Sequence, residues 1–95
     1  MRQVAIIGGG ISALATAYLL QEKAKSQNIA IGIKVFEKEN RLGGKIWSRK
    51  EDGYLCEWGP NGFLTNKPQT LELCKSLGLS EQLLASNDNA RKRFV

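Results

Sequence analysis

The stretch VAIIGGGISALA, residues 4–15, constrains this chain more than any other. A short β-branched apolar run stops at glycines, and an apolar, alanine-rich segment starts at once. The order predicts a buried strand over 3–7, a glycine turn, and a helix over 11–28. That helix keeps Leu14, Ala17, Tyr18 and Leu20 near one face before it fades into polar residues and Asn28. The next run, IAIGIKVFEK at 29–38, is again β-branched and ends in an acid, which suits a second strand parallel to the first. Because such crossovers are almost always right-handed, the order predicts a β-α-β unit opening an α/β sheet.

The glycines meet a chemical requirement. A pyrophosphate needs hydrogen-bond donors as it leaves water, and a helix N-terminus offers unpaired N–H groups and the positive end of its dipole. In the pattern G-x-G-x-x-G, Gly8 fills the place that permits the sharp turn, and Gly10 the place where backbone approaches phosphate. Ala13 stands where a third glycine serves helix-on-strand packing, and a methyl group is small enough for that role. The second strand ends at Glu37, 24 residues beyond Ala13. A carboxylate there accepts ribose hydroxyls and repels a 2′-phosphate, which disfavours NADP and leaves FAD and NAD open. Alone, the glycine motif is equally a tight strand-to-helix connection. The strand before it, the helix after it and the distant acid argue for a dinucleotide cradle.

Length and charge narrow the alternatives. With 95 residues the chain has room for one domain, or part of one, with a modest core. Its composition, 42% hydrophobic and 24% charged, is that of a globular chain rather than a disordered one. A net charge of +5 raises the question of an anionic partner. Basic and acidic residues intermix over 34–52, however, and the tight cluster Arg91, Lys92 and Arg93 sits at the very end, so no nucleic-acid partner is expected. Cys56 and Cys74 form no C-x-x-C pair and the chain has no histidine, which argues against a metal site or a disulfide framework and for reduced thiols in the cytoplasm. The apolar run Val4 to Ile7 is too short for a signal-peptide core or a membrane span. Peripheral membrane contact is left to parts outside this chain.

The middle of the chain, ENRLGGKIWSRKEDGYLCEWGPNGFLTN at 39–66, is rich in glycine and aromatic residues. It predicts a long ligand-facing loop and then a hairpin with strands at 45–49 and 54–57 around KEDG. Trp47 and Trp58 flank that hairpin and are expected in the core rather than stacked on a ligand. KPQTLELCKSLGLSEQLLAS, 67–86, predicts a helix with Pro68 in its first turn and a stop at Gly78, followed by a short helix from Ser80. ARKRFV at 90–95 reads as the start of another strand, the pattern of a chain cut before its sheet is complete. A parallel sheet without its later strands exposes an apolar edge and favours self-association.

Arg41, Gly43, Gly44 and Ser48 resemble the R-x-G-G-x-x-x-S element that follows the nucleotide acid in the flavin-containing amine oxidase superfamily. NAD-dependent dehydrogenases do not typically carry it, so the resemblance points to FAD. GYLCEWGPNGFLTNKPQTLELCKSLGL, 53–79, is similar to the GPxSF segment and following helix of the oxygen-dependent, FAD-containing protoporphyrinogen and coproporphyrinogen oxidases. SNDNARKRFV, 86–95, resembles the region where that family enters the strand leading to its substrate domain. Gly62 stands where the family often has serine and Ala13 where it usually has glycine; neither change removes a charge.

The resemblance implies that 1–95 is the N-terminal portion of a Rossmann-like FAD-binding domain of α/β class, with a β-α-β start, glycine-rich loop, short hairpin and helices. Substrate-binding and membrane-binding parts then lie elsewhere. It implies that Gly8, Gly9, Gly10, Ile11, Ser12 and Ala13 hold the pyrophosphate, and that Glu37 and Lys38 take the ribose and its surroundings. Arg41, Gly44 and Lys45 would run along the diphosphate, and Gly59, Pro60, Asn61 and Gly62 would approach the flavin. The implied full-length enzyme oxidises a porphyrinogen to a porphyrin in haem synthesis with oxygen as acceptor, and the isolated piece is inactive. No catalytic residue can be named within this chain. Competing readings are another flavin-dependent oxidase or desaturase of the superfamily, an NAD-dependent dehydrogenase, and a non-catalytic nucleotide-binding or basic interaction module.

Overall fold

The computed structural model describes residues 1–85, so Arg91, Lys92, Arg93, the strand expected over 90–95 and the resemblance at 86–95 lie outside the described residues. The chain divides into two compact units, Met1–Asn61 and a second that begins at Gly62.

In the first unit, β1 (Arg2–Ile7) passes through the glycine turn into α1 (Ile11–Ser26), and the chain returns as β2 (Ile31–Phe36). The strands pair in parallel, from Arg2 opposite Ile31 to Ile7 opposite Phe36. This is the β-α-β start that the alternation of apolar runs predicts. Val4 and Ile6 of β1 alternate as half-buried residues with exposed Ala5 and Ile7, and in β2 Ile31 to Ile33 and Val35 are half-buried while Lys34 and Phe36 are exposed. Asn28, with φ 55°, ends α1 in a left-handed cap. The Ile29 N–H donates to the Ala24 carbonyl at 2.8 Å and the Asn28 N–H to Lys25 at 3.2 Å, which satisfies carbonyls that the helix end leaves unpaired.

Burial is thinner than the modest core expected from length. Ala24 is the one buried apolar residue among those described, and Ile7 remains 81% exposed. The cause is architectural: a parallel sheet normally has both faces covered, and here α1 covers one.

Two short strands, β3 (Ser48–Glu51) and β4 (Tyr54–Glu57), form an antiparallel hairpin with Ser48 opposite Glu57 and Glu51 opposite Tyr54. The expected 45–49 strand is displaced toward the turn because Asp52 and Gly53 alone make the connection, with φ of 52° and 81°. Positive φ at both central residues gives a turn whose twist matches that of the strands it joins. The hairpin makes no contact with β1, α1 or β2.

The second unit contains α2 (Pro68–Ser76), with proline at its first position. Gly78, at φ 75°, closes the helix as expected, with the Leu79 N–H bonded to the Cys74 carbonyl at 2.8 Å. The expected second helix is reduced to a single 3-10 turn over Ser80–Gln82, because Leu83 already adopts extended backbone with ψ 131°. No helix among the described residues is long and apolar enough to cross a membrane.

Replacing Gly53 by valine forces a β-branched residue into left-handed backbone, at a cost of about 1–2 kcal/mol. Both tryptophans flank the hairpin, so thermal unfolding followed by tryptophan emission should show a lower midpoint for Gly53→Val; an unchanged midpoint would contradict the turn assignment.

Candidate functional site

The site begins where β1 ends. The Gly8 N–H extends the parallel ladder to the Phe36 carbonyl at 2.7 Å, and the first helical bond runs from the Leu14 N–H to the Gly10 carbonyl at 3.0 Å. The amides of Ile11, Ser12 and Ala13 therefore precede the helical hydrogen-bond ladder. Gly10, the cap residue, has extended backbone and no side chain to cap them, and the first turn of α1 contains no acid. Donors and the positive dipole end are thus left available to an anion, with no carboxylate in that turn to repel it.

Glu37 closes the other side of the loop. Its Oε1 accepts the Gly9 N–H at 2.7 Å and its Oε2 accepts the Glu39 N–H at 2.9 Å. The bond from Glu39, then that from Gly9, hold the carboxyl below its ordinary range, helped by the neighbouring Lys38 charge and opposed by desolvation. Gly9 itself is buried. A Cβ there would come within 2.7 Å of Leu42 Cδ2 and 3.1 Å of Glu37 Oε1, so a side chain would push the acid out of place. Leu42, which sequence reasoning passes over, is therefore part of the wall behind the loop.

Residues 41–44 lie directly on the glycine turn. The Gly43 N–H donates to the Gly9 carbonyl at 2.8 Å, and Gly43 pairs with Gly10 as an isolated parallel bridge. Gly44 has φ 59°, and a Cβ on it would stand 3.1 Å from the Gly10 Cα. Both the left-handed backbone and the close approach call for glycine. The Arg41 guanidinium donates through Nη2 to the Gly44 carbonyl at 2.5 Å and through Nη1 to the Leu42 carbonyl at 3.2 Å. Its Cζ lies 4.8 Å from the centroid of the Trp47 ring.

The tryptophans overturn the expectation that they belong to the core. Trp47 and Trp58 are 38% and 61% exposed and stack on each other, with centroids 5.6 Å apart and planes at 26°. The hairpin has no layer packed on it, so each indole finds its apolar contact in the other. The pairing was derivable: with Asp52 and Gly53 at the turn, Trp47 falls opposite Trp58, and the Trp58 N–H does donate to the Trp47 carbonyl at 2.8 Å.

The remaining predicted site residues are less gathered. Lys38 and Lys45 are exposed. Gly59 packs against the Lys45 carbonyl so closely that a Cβ would overlap it, which gives this glycine a backbone-packing role. Pro60 and Asn61 are exposed at the end of the first unit, and Gly62 opens the second. The first unit thus brings together Gly8 to Ala13, Glu37, Arg41 and Gly44. Free amides beside a fixed carboxylate and a guanidinium match a diphosphate joined to a ribose diol, the ADP half of a dinucleotide.

Residues 6–77 match the NAD(P)-binding Rossmann-like domain family. Coproporphyrinogen III oxidase of Bacillus subtilis (strain 168) is 43% identical over 86 residues, which cover 90% of this chain and 18% of that protein. The crystal structure of a protein from Exiguobacterium sp. 255-15, assigned there to the protoporphyrinogen oxidases, superposes with a TM-score of 0.72 at 34% identity, covering 84% of this chain and 17% of that one. Wild-type putrescine oxidase bound to putrescine superposes with a TM-score of 0.68 at 29% identity, covering 82% and 16%. The chain spans less than a fifth of the length of each of these proteins.

Because the Glu37 carboxyl titrates below its ordinary value in the folded state, its contribution to stability is present above 4.5 and is lost as pH falls through the depressed folded value. Glu37→Gln should therefore melt below wild type at neutral pH, and the gap should close on acidification below that ordinary value. Parallel melting curves across pH check this; a gap that is constant with pH would sink the assignment.

Proposed function

This chain belongs to the NAD(P)-binding Rossmann-like domain family, and from that premise we propose that it is the N-terminal, dinucleotide-binding portion of an FAD-dependent oxidase that converts a porphyrinogen to a porphyrin in haem synthesis, with oxygen as acceptor. The observation that carries the reading is the seating of Arg41 to Gly44 on the glycine turn beside Glu37. The ADP moiety is common to FAD and NAD(P), so a cradle for it agrees with the family match. The arginine-glycine segment and the porphyrinogen oxidase relatives favour FAD.

Each residue then has a physical role. The amides at the start of α1 meet the diphosphate, and the bare backbone at Gly8 to Gly10 lets it approach. Each Glu37 oxygen spends one lone pair on a backbone N–H and keeps another for a ribose hydroxyl. Arg41 supplies positive charge at the loop, with Lys38, Gly44 and Lys45 alongside, and Gly59, Pro60, Asn61 and Gly62 lead toward the flavin. Bound FAD supplies the electron acceptor, and this chain's part is to hold and orient it. The pocket for porphyrinogen and any peripheral membrane contact belong to other parts of the protein, and the free thiols Cys56 and Cys74 suit the cytoplasm. The isolated chain, with Ile7 and Phe36 exposed on its sheet, is expected to be inactive and to self-associate.

The likeness to putrescine oxidase supports a second reading, an amine-oxidising flavoenzyme of the same superfamily. Purifying the complete protein that carries this chain decides between them. Flavin absorbance and conversion of a porphyrinogen to a fluorescent porphyrin are expected. A colourless protein would overturn the cofactor, and amine oxidation without porphyrin formation would move the substrate to the second reading.

A further inference from the structure

We propose that Trp47 and Trp58 are positioning residues for the cofactor diphosphate: their stack holds the Arg41 guanidinium beside the glycine turn and couples the hairpin to binding there. The inference rests on the dinucleotide reading above and extends it to residues outside the nucleotide motif.

Arg41 has a rotamer-rich side chain that would otherwise sample solvent. It is held instead by the Gly44 carbonyl, the Leu42 carbonyl and the Trp47 ring. These partners orient a cation without neutralising it. The ion pairs among the described residues are Lys25 with Glu22 and Arg49 with Glu51, so no carboxylate competes for Arg41. Nη1 and Nη2 each give a hydrogen bond to a carbonyl, and the guanidinium retains further N–H donors for an oxyanion.

An exposed indole on a short hairpin is a poor anchor alone. Trp58 supplies the missing constraint, being stacked on Trp47 and joined to it by a backbone bond at 2.8 Å. The hairpin does not touch β1, α1 or β2, so its link to the glycine turn runs through segment 41–47. An anion drawn to Arg41 therefore acts on an element tied to Trp47 and, through it, to Trp58. A simpler role as a staple for the hairpin makes a different prediction, because it would leave binding at the glycine turn unaffected.

The chain contains two tryptophans, these two, so its indole emission reports on the stack alone. ADP, which carries the diphosphate, and adenosine, which lacks it, are titrated calorimetrically and by emission into the full chain, Trp47→Ala, Trp58→Ala and Trp47→Phe. ADP should change wild-type emission, and each alanine variant should bind ADP about five-fold more weakly, the scale of one cation–π contact. Adenosine affinity should stay at the wild-type value, and phenylalanine should restore most of the ADP affinity. Should Trp47→Ala fail to fold, Trp58→Ala and Trp47→Phe carry the comparison. Wild-type ADP affinity in the alanine variants, or equal loss of ADP and adenosine, would overturn the positioning role and leave the dinucleotide reading standing. A wild-type chain that binds neither ADP nor FAD would overturn both.

Discussion

Two glycine segments, 8–10 and 43–44, pack backbone against backbone, and the geometry of the first unit follows from that contact. The Gly43 N–H bonds to the Gly9 carbonyl, while the Gly10 Cα leaves only enough room for a hydrogen on Gly44. A side chain on Gly44, 3.1 Å from the Gly10 Cα and in left-handed backbone, would strain that contact. The first segment is also tied to Glu37 through the Gly9 N–H, and Leu42 stands on the same side of Gly9 as that carboxylate. The cradle is therefore assembled from main chain more than from side chains, which suits a ligand whose most demanding feature is a diphosphate needing close, oriented donors.

The charges in this cradle are held by dipoles rather than by each other. Glu37 is stabilised by backbone N–H groups and Arg41 by backbone carbonyls. An ion pair between them would have spent both charges on the resting protein. Held separately, the carboxylate keeps lone pairs and the guanidinium keeps N–H donors that neither has spent on the other, the groups that the proposed ribose and diphosphate would use. The same logic explains the lack of an acid in the first turn of α1: a capping carboxylate would stabilise the helix while occupying the donors an anion needs.

Local rules worked wherever a residue's own backbone preference decided the outcome, as at Asn28, Pro68 and Gly78, which mark helix ends. They fell short where the outcome rested on two residues acting together or on what packs against an element. The hairpin register came from Asp52 and Gly53 jointly adopting positive φ, a property of the pair that placed β3 closer to the turn than apolar patterning suggested. Sequence places the tryptophans in the core, because an aromatic beside a hairpin is more often core than ligand-facing. Here no layer covers the hairpin, and they stay exposed, stacked on each other with Arg41 over the Trp47 ring.

The sequence by itself determined the β-α-β order, the bare glycine turn and the acid after the second strand. Apolar periodicity and glycine placement act within a few residues and leave little alternative. Tertiary structure alone decided that Gly44 meets Gly10, that Gly9 donates to Glu37 across the end of the sheet, and that Arg41 lies over the Trp47 ring. Those contacts join residues far apart in the chain, and parallel pairing of β1 with β2 is what delivers Glu37 and the segment after it to the mouth of the turn. Spacing along a sequence sets which groups are present; the pairing of the strands sets the distances at which they act.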